Sequence, residues 1–144
     1  MAGAERLAWE PRLHAASAHA LYLHIPFCKR KCAYCDFPSW ATPARDASLR
    51  AYARSLERLV GEAAAMGLLE GCETAYVGGG TPSYLGEGLF SLVGRVREAA
   101  PGVSELTCEA NPDSLTDALL SGLVAAGATR VSIGVQSLSD AELA

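Results

Sequence analysis

Short apolar runs alternate along the chain with longer stretches in which apolar residues return every three or four positions. That alternation predicts strands separated by helices. Residues 21–27 are apolar with β-branched and aromatic content and read as a first strand. Leu49, Tyr52, Ala53, Leu56, Leu59, Val60 and Ala63 then recur at helical spacing, with Arg50, Arg54, Glu57, Arg58 and Glu62 on the opposite face. Thr42 is the expected N-cap of this helix and Pro43 its first residue. Residues 74–77 form a second strand that runs into Gly78-Gly79-Gly80-Thr81-Pro82-Ser83. Leu89, Val93, Val96 and Ala100 mark one face of a second helix, stopped by Pro101-Gly102. Residues 104–110 read as a third strand closed by Asn111-Pro112. Asp113 or Ser114 is expected to cap a third helix bearing Leu115, Leu119, Leu123 and Val124 and ending at Gly127. Residues 129–135 are the fourth strand. Ser139 and Glu142 then show the S-x-x-E spacing of a capping box, which opens another helix.

Strands and helices in strict alternation define an α/β protein with right-handed βαβ units and a parallel sheet. A barrel and an open doubly wound sheet both satisfy the pattern. The unusual residues favour the barrel, because they fall at or just past the ends of successive strands, where the functional groups of (β/α) barrels collect. A length of 144 residues suits one domain. The capping box so near Ala144 suggests the N-terminal part of a longer protein with its native start at Met1. Residues 1–20 read as an N-terminal extension and 21–144 as the first part of the domain, cut after about four strands.

A net charge of -4 with scattered Lys and Arg forms no basic stripe, so nucleic acid is not an expected partner. Half the residues are hydrophobic, yet no apolar run reaches the ~18 residues of a membrane span. Glu5, Arg6, Glu10 and Arg12 interrupt the first 20 residues, which lack the apolar core of a secretory signal. A transit peptide is disfavoured by the two acidic residues. The expected location is therefore the cytoplasm, where clustered thiols serve more often as metal ligands than as disulfides.

Cys28, Cys32 and Cys35 supply such a cluster, spaced C-x3-C-x2-C on one loop. One reading is a zinc site completed by His24. The other, which fits the spacing better, is an iron–sulfur cube held by three thiolates with its fourth iron open. Lys29, Arg30 and Lys31 lie among the ligands, where positive charge lowers thiol pKa values and offsets cluster charge. Cys72 and Cys108 stand apart and read as small core hydrophobes. The glycine run lacks the Lys-Ser or Lys-Thr of a P-loop and the third glycine of a dinucleotide fingerprint. It suits a close approach of backbone to a ligand. Glu109 and Gln136 end successive strands on the face that carries the cysteine loop. There Glu109 is placed to hold a ribose hydroxyl or an ammonium group.

Four blocks in order resemble the radical S-adenosylmethionine (SAM) superfamily: Tyr22-Leu23-His24-Ile25-Pro26-Phe27-Cys28 into the triad, Gly78-Gly79-Gly80-Thr81-Pro82-Ser83, Glu109-Ala110-Asn111-Pro112 and Ser132-Ile133-Gly134-Val135-Gln136-Ser137. Within it they resemble the branch of oxygen-independent coproporphyrinogen III oxidases and the related heme chaperones. The resemblance implies a partial (β/α) barrel of TIM type and a [4Fe-4S] cluster on Cys28, Cys32 and Cys35. SAM would chelate the open iron and be cleaved to methionine and a 5′-deoxyadenosyl radical. By family position, Tyr22, Tyr34, Gly79, Gly80, Thr81, Glu109 and Gln136 would contact SAM. The oxidases carry a fourth cysteine two residues after the third, where this chain has Phe37. That departure looks like the heme chaperone subgroup, often called HemW, which hands heme to hemoproteins. The expected partners are accordingly SAM, heme or a porphyrinogen, recipient hemoproteins and an electron donor, with any heme-binding segment downstream of Ala144.

Overall fold

The computed structural model describes residues 18–143, so most of the expected N-terminal extension lies outside the described residues. Four parallel strands form the main sheet: β1 (Ala20–Ile25), β4 (Thr74–Gly79), β5 (Glu105–Ala110) and β6 (Arg130–Ile133), in the spatial order β1-β4-β5-β6. Two short strands, β2 (Phe27–Cys28) and β3 (Trp40–Ala41), pair in parallel across the loop that carries the cysteines. Helices α1 (Ala47–Ala65), α2 (Glu87–Ala99) and α3 (Asp117–Ala126) follow β3, β4 and β5, and α4 (Asp140–Leu143) follows β6. Each successive strand of the main sheet is added on the same side as the one before. A doubly wound sheet reverses direction at a switch point, so this order is that of a growing barrel.

Alternation along the strands divides the sheet into two faces. Leu23 and Ile25 of β1, Ala75 and Val77 of β4, and Leu106, Cys108 and Ala110 of β5 are buried. The core joins most of these strand residues to Leu49 and Val60 of α1, Leu89, Leu92, Val93 and Val96 of α2, and Leu119 and Leu123 of α3. Helix α1 packs on α2, and α2 on α3. The intervening strand positions carry Tyr22, His24, Tyr76, Glu109 and Ser132 on the other face. Tyr22 lies level with Tyr76, and Glu109 with Ser132. The polar face is therefore the inside of the partial barrel.

The strands lie close to their expected positions, but two helix starts differ. Asp46, not Thr42, is the N-cap of α1, and its carboxylate accepts from the Ser48 amide at 2.8 Å. Thr42 instead donates its hydroxyl to the Trp40 carbonyl. After β5 the chain makes a 3-10 turn over Pro112–Ser114, so Asp113 and Ser114 precede α3. Thr116 caps α3 by accepting from the Leu119 amide, and Gly127 ends it in the left-handed region at φ 103°. Leu59 and Val124, expected on packed faces, are exposed. The fourth strand closes at Ile133, two residues early.

Candidate functional site

The cysteine loop is tied at its base and along its length. Trp40 donates its amide to the Pro26 carbonyl at 2.8 Å, and Thr42 donates to the Cys28 carbonyl at 2.9 Å. The Lys31 ammonium donates to the Phe37 carbonyl at 2.5 Å and to the Ser39 hydroxyl at 3.1 Å, and stands 3.9 Å from the Cys35 sulfur. One of the three basic residues is thus a structural staple rather than a solvated charge. Lys29 reaches Asp113, 3.6 Å away, in the turn after β5. His24 braces the loop from the barrel side. Its Nε2 bonds the Pro38 carbonyl at 2.9 Å, while the Tyr22 hydroxyl lies 3.0 Å from Nδ1. With both ring nitrogens engaged, His24 is not offered as a zinc ligand.

The glycine run lies against this loop and against the next strand. Gly80 donates its amide to the Ile25 carbonyl at 2.7 Å and Thr81 to the Phe27 carbonyl at 2.8 Å, extending the pairing of β4 with the end of β1. A Cβ at Gly80 would lie 2.6 Å from the Phe27 carbonyl oxygen and 2.9 Å from the Cys28 sulfur. Gly79 adopts φ 122° beside the His24 ring, a conformation that glycine enters without a Cβ penalty. A Cβ at Gly78 would meet Tyr76 and Glu109. At all three positions a side chain would collide with the protein itself.

Glu109 is held from two sides. The Tyr76 hydroxyl donates to Oε1 at 2.6 Å and the Gly79 amide to Oε2 at 3.0 Å. The bond to Glu109, with burial second, pushes the Tyr76 phenol above its ordinary pKa. Burial, followed by the Glu109 charge, does the same for Tyr22, which stacks on Tyr76 at 6.1 Å. Gln136 holds a left-handed φ of 68° just past β6, a conformation uncommon outside glycine.

One cleft of about 690 Å³ gathers Cys28, Cys32, Cys35, Tyr34, Gly79, Gly80, Thr81, Glu109 and Gln136 at the C-terminal ends of the strands. Of the residues expected there, Tyr22 is the one outside the lining, and it reaches the site through His24 and Tyr76. The size suits a cofactor or small ligand, for which pockets of ~300–1,000 Å³ are usual. All three loop cysteines are unbridged. A single zinc ion draws its sulfurs to one point at ~2.3 Å, and among the described residues no three candidate ligands converge in that way. Three free thiols on one cleft are a donor set of the kind an iron–sulfur cluster takes. Asn111 lines the cleft and Tyr76 holds Glu109 from behind, neither having been expected there. Asn111 read as the end of a strand, and Tyr76 had only its alternation with Val77 to mark it as facing inward.

A parallel sheet wound in one direction, with a thiol-bearing loop beside a carboxylate at its C-terminal end, defines a cofactor-binding (β/α)-barrel protein. The family model described as "Radical SAM superfamily" matches residues 22–143, and the chain belongs to that superfamily. It is 42% identical over 134 residues to the heme chaperone HemW of Mycobacterium tuberculosis, covering 86% of this chain and 33% of that protein. To the oxygen-independent coproporphyrinogen III oxidase of Cereibacter sphaeroides it is 38% identical over 133 residues, covering 89% of this chain and 29% of that one. Among solved structures it resembles coproporphyrinogen III oxidase (HemN) from Escherichia coli, a radical SAM enzyme, with a TM-score of 0.75 and 28% identity over 90% of this chain and 31% of that chain. The chain thus spans about a third of the length of the relatives it matches. No helix among the described residues is long and apolar enough to cross a membrane.

Proposed function

We propose that this chain is the cluster-bearing part of a cytoplasmic heme chaperone of the radical SAM superfamily, with residues 21–144 the start of its core domain. Cys28, Cys32 and Cys35 hold a [4Fe-4S] cluster, and SAM occupies the cleft against Tyr34, Gly79, Gly80, Thr81, Glu109 and Gln136, with Tyr22 behind them. When bound, the pair supplies one-electron reductive chemistry at the sulfonium. The protein's own part is to position. Glu109, fixed by Tyr76 and Gly79, presents a charged acceptor that does not have to reorganise to meet an ammonium or hydroxyl group. Lys31 and His24 hold the cysteine loop at that wall.

The observation that carries the reading is the meeting of three free thiols, the glycine run and Glu109 on one cleft. Phe37 supports the chaperone over the oxidase. It stands where the oxidases place a fourth cysteine, and its ring is 61% exposed beside the loop, in no core role. Heme would be held by a segment beyond Ala144 and passed to recipient hemoproteins, with a separate protein supplying electrons. The test is anaerobic incubation of the full-length protein, carrying reconstituted cluster and SAM, with coproporphyrinogen III. The expected result is no protoporphyrinogen, with heme bound when the same preparation is given heme in place of the porphyrinogen. Formation of protoporphyrinogen would overturn the chaperone reading and establish the second one, an oxidative decarboxylase, which the likeness to the Escherichia coli oxidase structure favours.

A further inference from the structure

Thr81 is 5% exposed at the wall of an otherwise open cleft, and three bonds fix it. Its amide donates to the Phe27 carbonyl at 2.8 Å. Its hydroxyl oxygen accepts from Asn111 Nδ2 at 3.2 Å and lies 3.6 Å from the Cys28 sulfur, toward which it donates. A hydroxyl has one proton to give. Because Asn111 donates to the oxygen, the Thr81 proton is left to point at sulfur. Gly80 completes the contact, since any Cβ there would occupy space 2.9 Å from the same sulfur. The other two ligands differ: the Lys31 ammonium stands 3.9 Å from the Cys35 sulfur, and Cys32 is exposed.

We infer that Asn111 and Thr81 form a hydrogen-bond relay to Cys28 that sets the reduction potential of the cluster. Hydrogen bonds to ligand sulfurs are among the factors that set cluster potentials. Such a bond withdraws charge from the thiolate and so favours the reduced state, which carries one more electron. Thr81 is a positioning residue in this role, and Asn111 acts through it. The relay joins the end of β4 to the turn after β5, so the turn that begins at Asn111 is tied to the first cluster ligand.

The inference rests on the reading that Cys28, Cys32 and Cys35 hold the cluster, and the experiment separates the two. Full-length protein with anaerobically reconstituted cluster is titrated with dithionite and followed by electron paramagnetic resonance. Thr81→Val is expected to lower the ratio of reduced to oxidised cluster about tenfold at fixed poise, equivalent to ~59 mV for one electron. Thr81→Ser, which keeps the hydroxyl, should titrate with the wild type. Asn111→Ala should shift the couple in the same direction by less, and should add nothing in the Thr81→Val background, since coupled residues are not additive. An unshifted Thr81→Val, or an Asn111→Ala shift that persists in the double variant, would overturn the relay alone. A wild type that takes up no cluster would overturn the relay together with the reading beneath it. Should Thr81→Val fail to take up cluster, Thr81→Ser and Asn111→Ala decide the question by the same titration.

Discussion

Gly78, Gly79 and Gly80 are adjacent in sequence, but each is required by a different neighbour. Gly80 faces backbone oxygen and sulfur of the cysteine loop, neither of which can swing aside as a flexible side chain can. Gly80→Ala should therefore cost at least ~1–3 kcal/mol, the usual penalty of overpacking, and should lower the yield of cluster on reconstitution. Gly94 is the control. It lies inside α2 with nothing within 4 Å of a built Cβ, so Gly94→Ala should raise stability by ~0.5–1 kcal/mol. Thermal melting of both variants measures the contrast, and equal effects would contradict it. The triple glycine was legible as a site of close approach. The protein groups that crowd it were not, because the Phe27 carbonyl and the Glu109 carboxylate arrive from strands distant in the chain, and local sequence carries no record of that meeting.

At the scale of elements, periodicity revealed the strands and helices, while caps and turns were decided by single side-chain bonds. Thr42-Pro43 and Asp46 are both plausible helix starts. The Asp46 carboxylate prevails because Thr42 stays bonded to Trp40 and its carbonyl accepts from the Tyr84 hydroxyl, holding it outside the helix. Strands β2 and β3 were illegible for a related reason. Two residues cannot show a period, and their pairing closes a loop across residues 29–39. Strand β5 shows the value of reading a residue within its element. Cys108 is fully buried there, and burial pushes its thiol up to about 12 from an ordinary 9.0. Its raised folded pKa means the unfolded chain loses the proton first. The stability this contributes is full below pH ~9 and is lost as pH rises toward ~12. Burial raises Tyr52 in the same direction, so it adds to the slope. The melting temperature should accordingly fall across this window, and Cys108→Ala should flatten the fall even though it lowers stability throughout. An unchanged slope would refute the assignment.

At the scale of the whole molecule, the strand order explains both where the site lies and what the fold leaves uncovered. Because β1, β4, β5 and β6 are added in one direction, the loops after them line up along one rim, and residues from 28 to 136 meet in one cleft. Among the described residues the same order leaves β6 at an edge of the sheet, with no strand on its outer side. Several apolar side chains in and after that strand, and on α3, are exposed. Val124 is 72% exposed and Leu138 94%, with Ile133 and Val135 both exposed between them. Open edges pair with other chains, and large apolar patches drive association. A net charge of -4 is small opposition, especially once screened by salt. The 144-residue chain expressed alone should therefore self-associate, with an apparent mass that rises with concentration in light scattering. Val124→Lys and Leu138→Lys, which place charge on the exposed patch and touch none of the buried core, should reduce that rise. A monodisperse monomer that melts cooperatively would show that this edge is protected in a way its exposed side chains do not reveal.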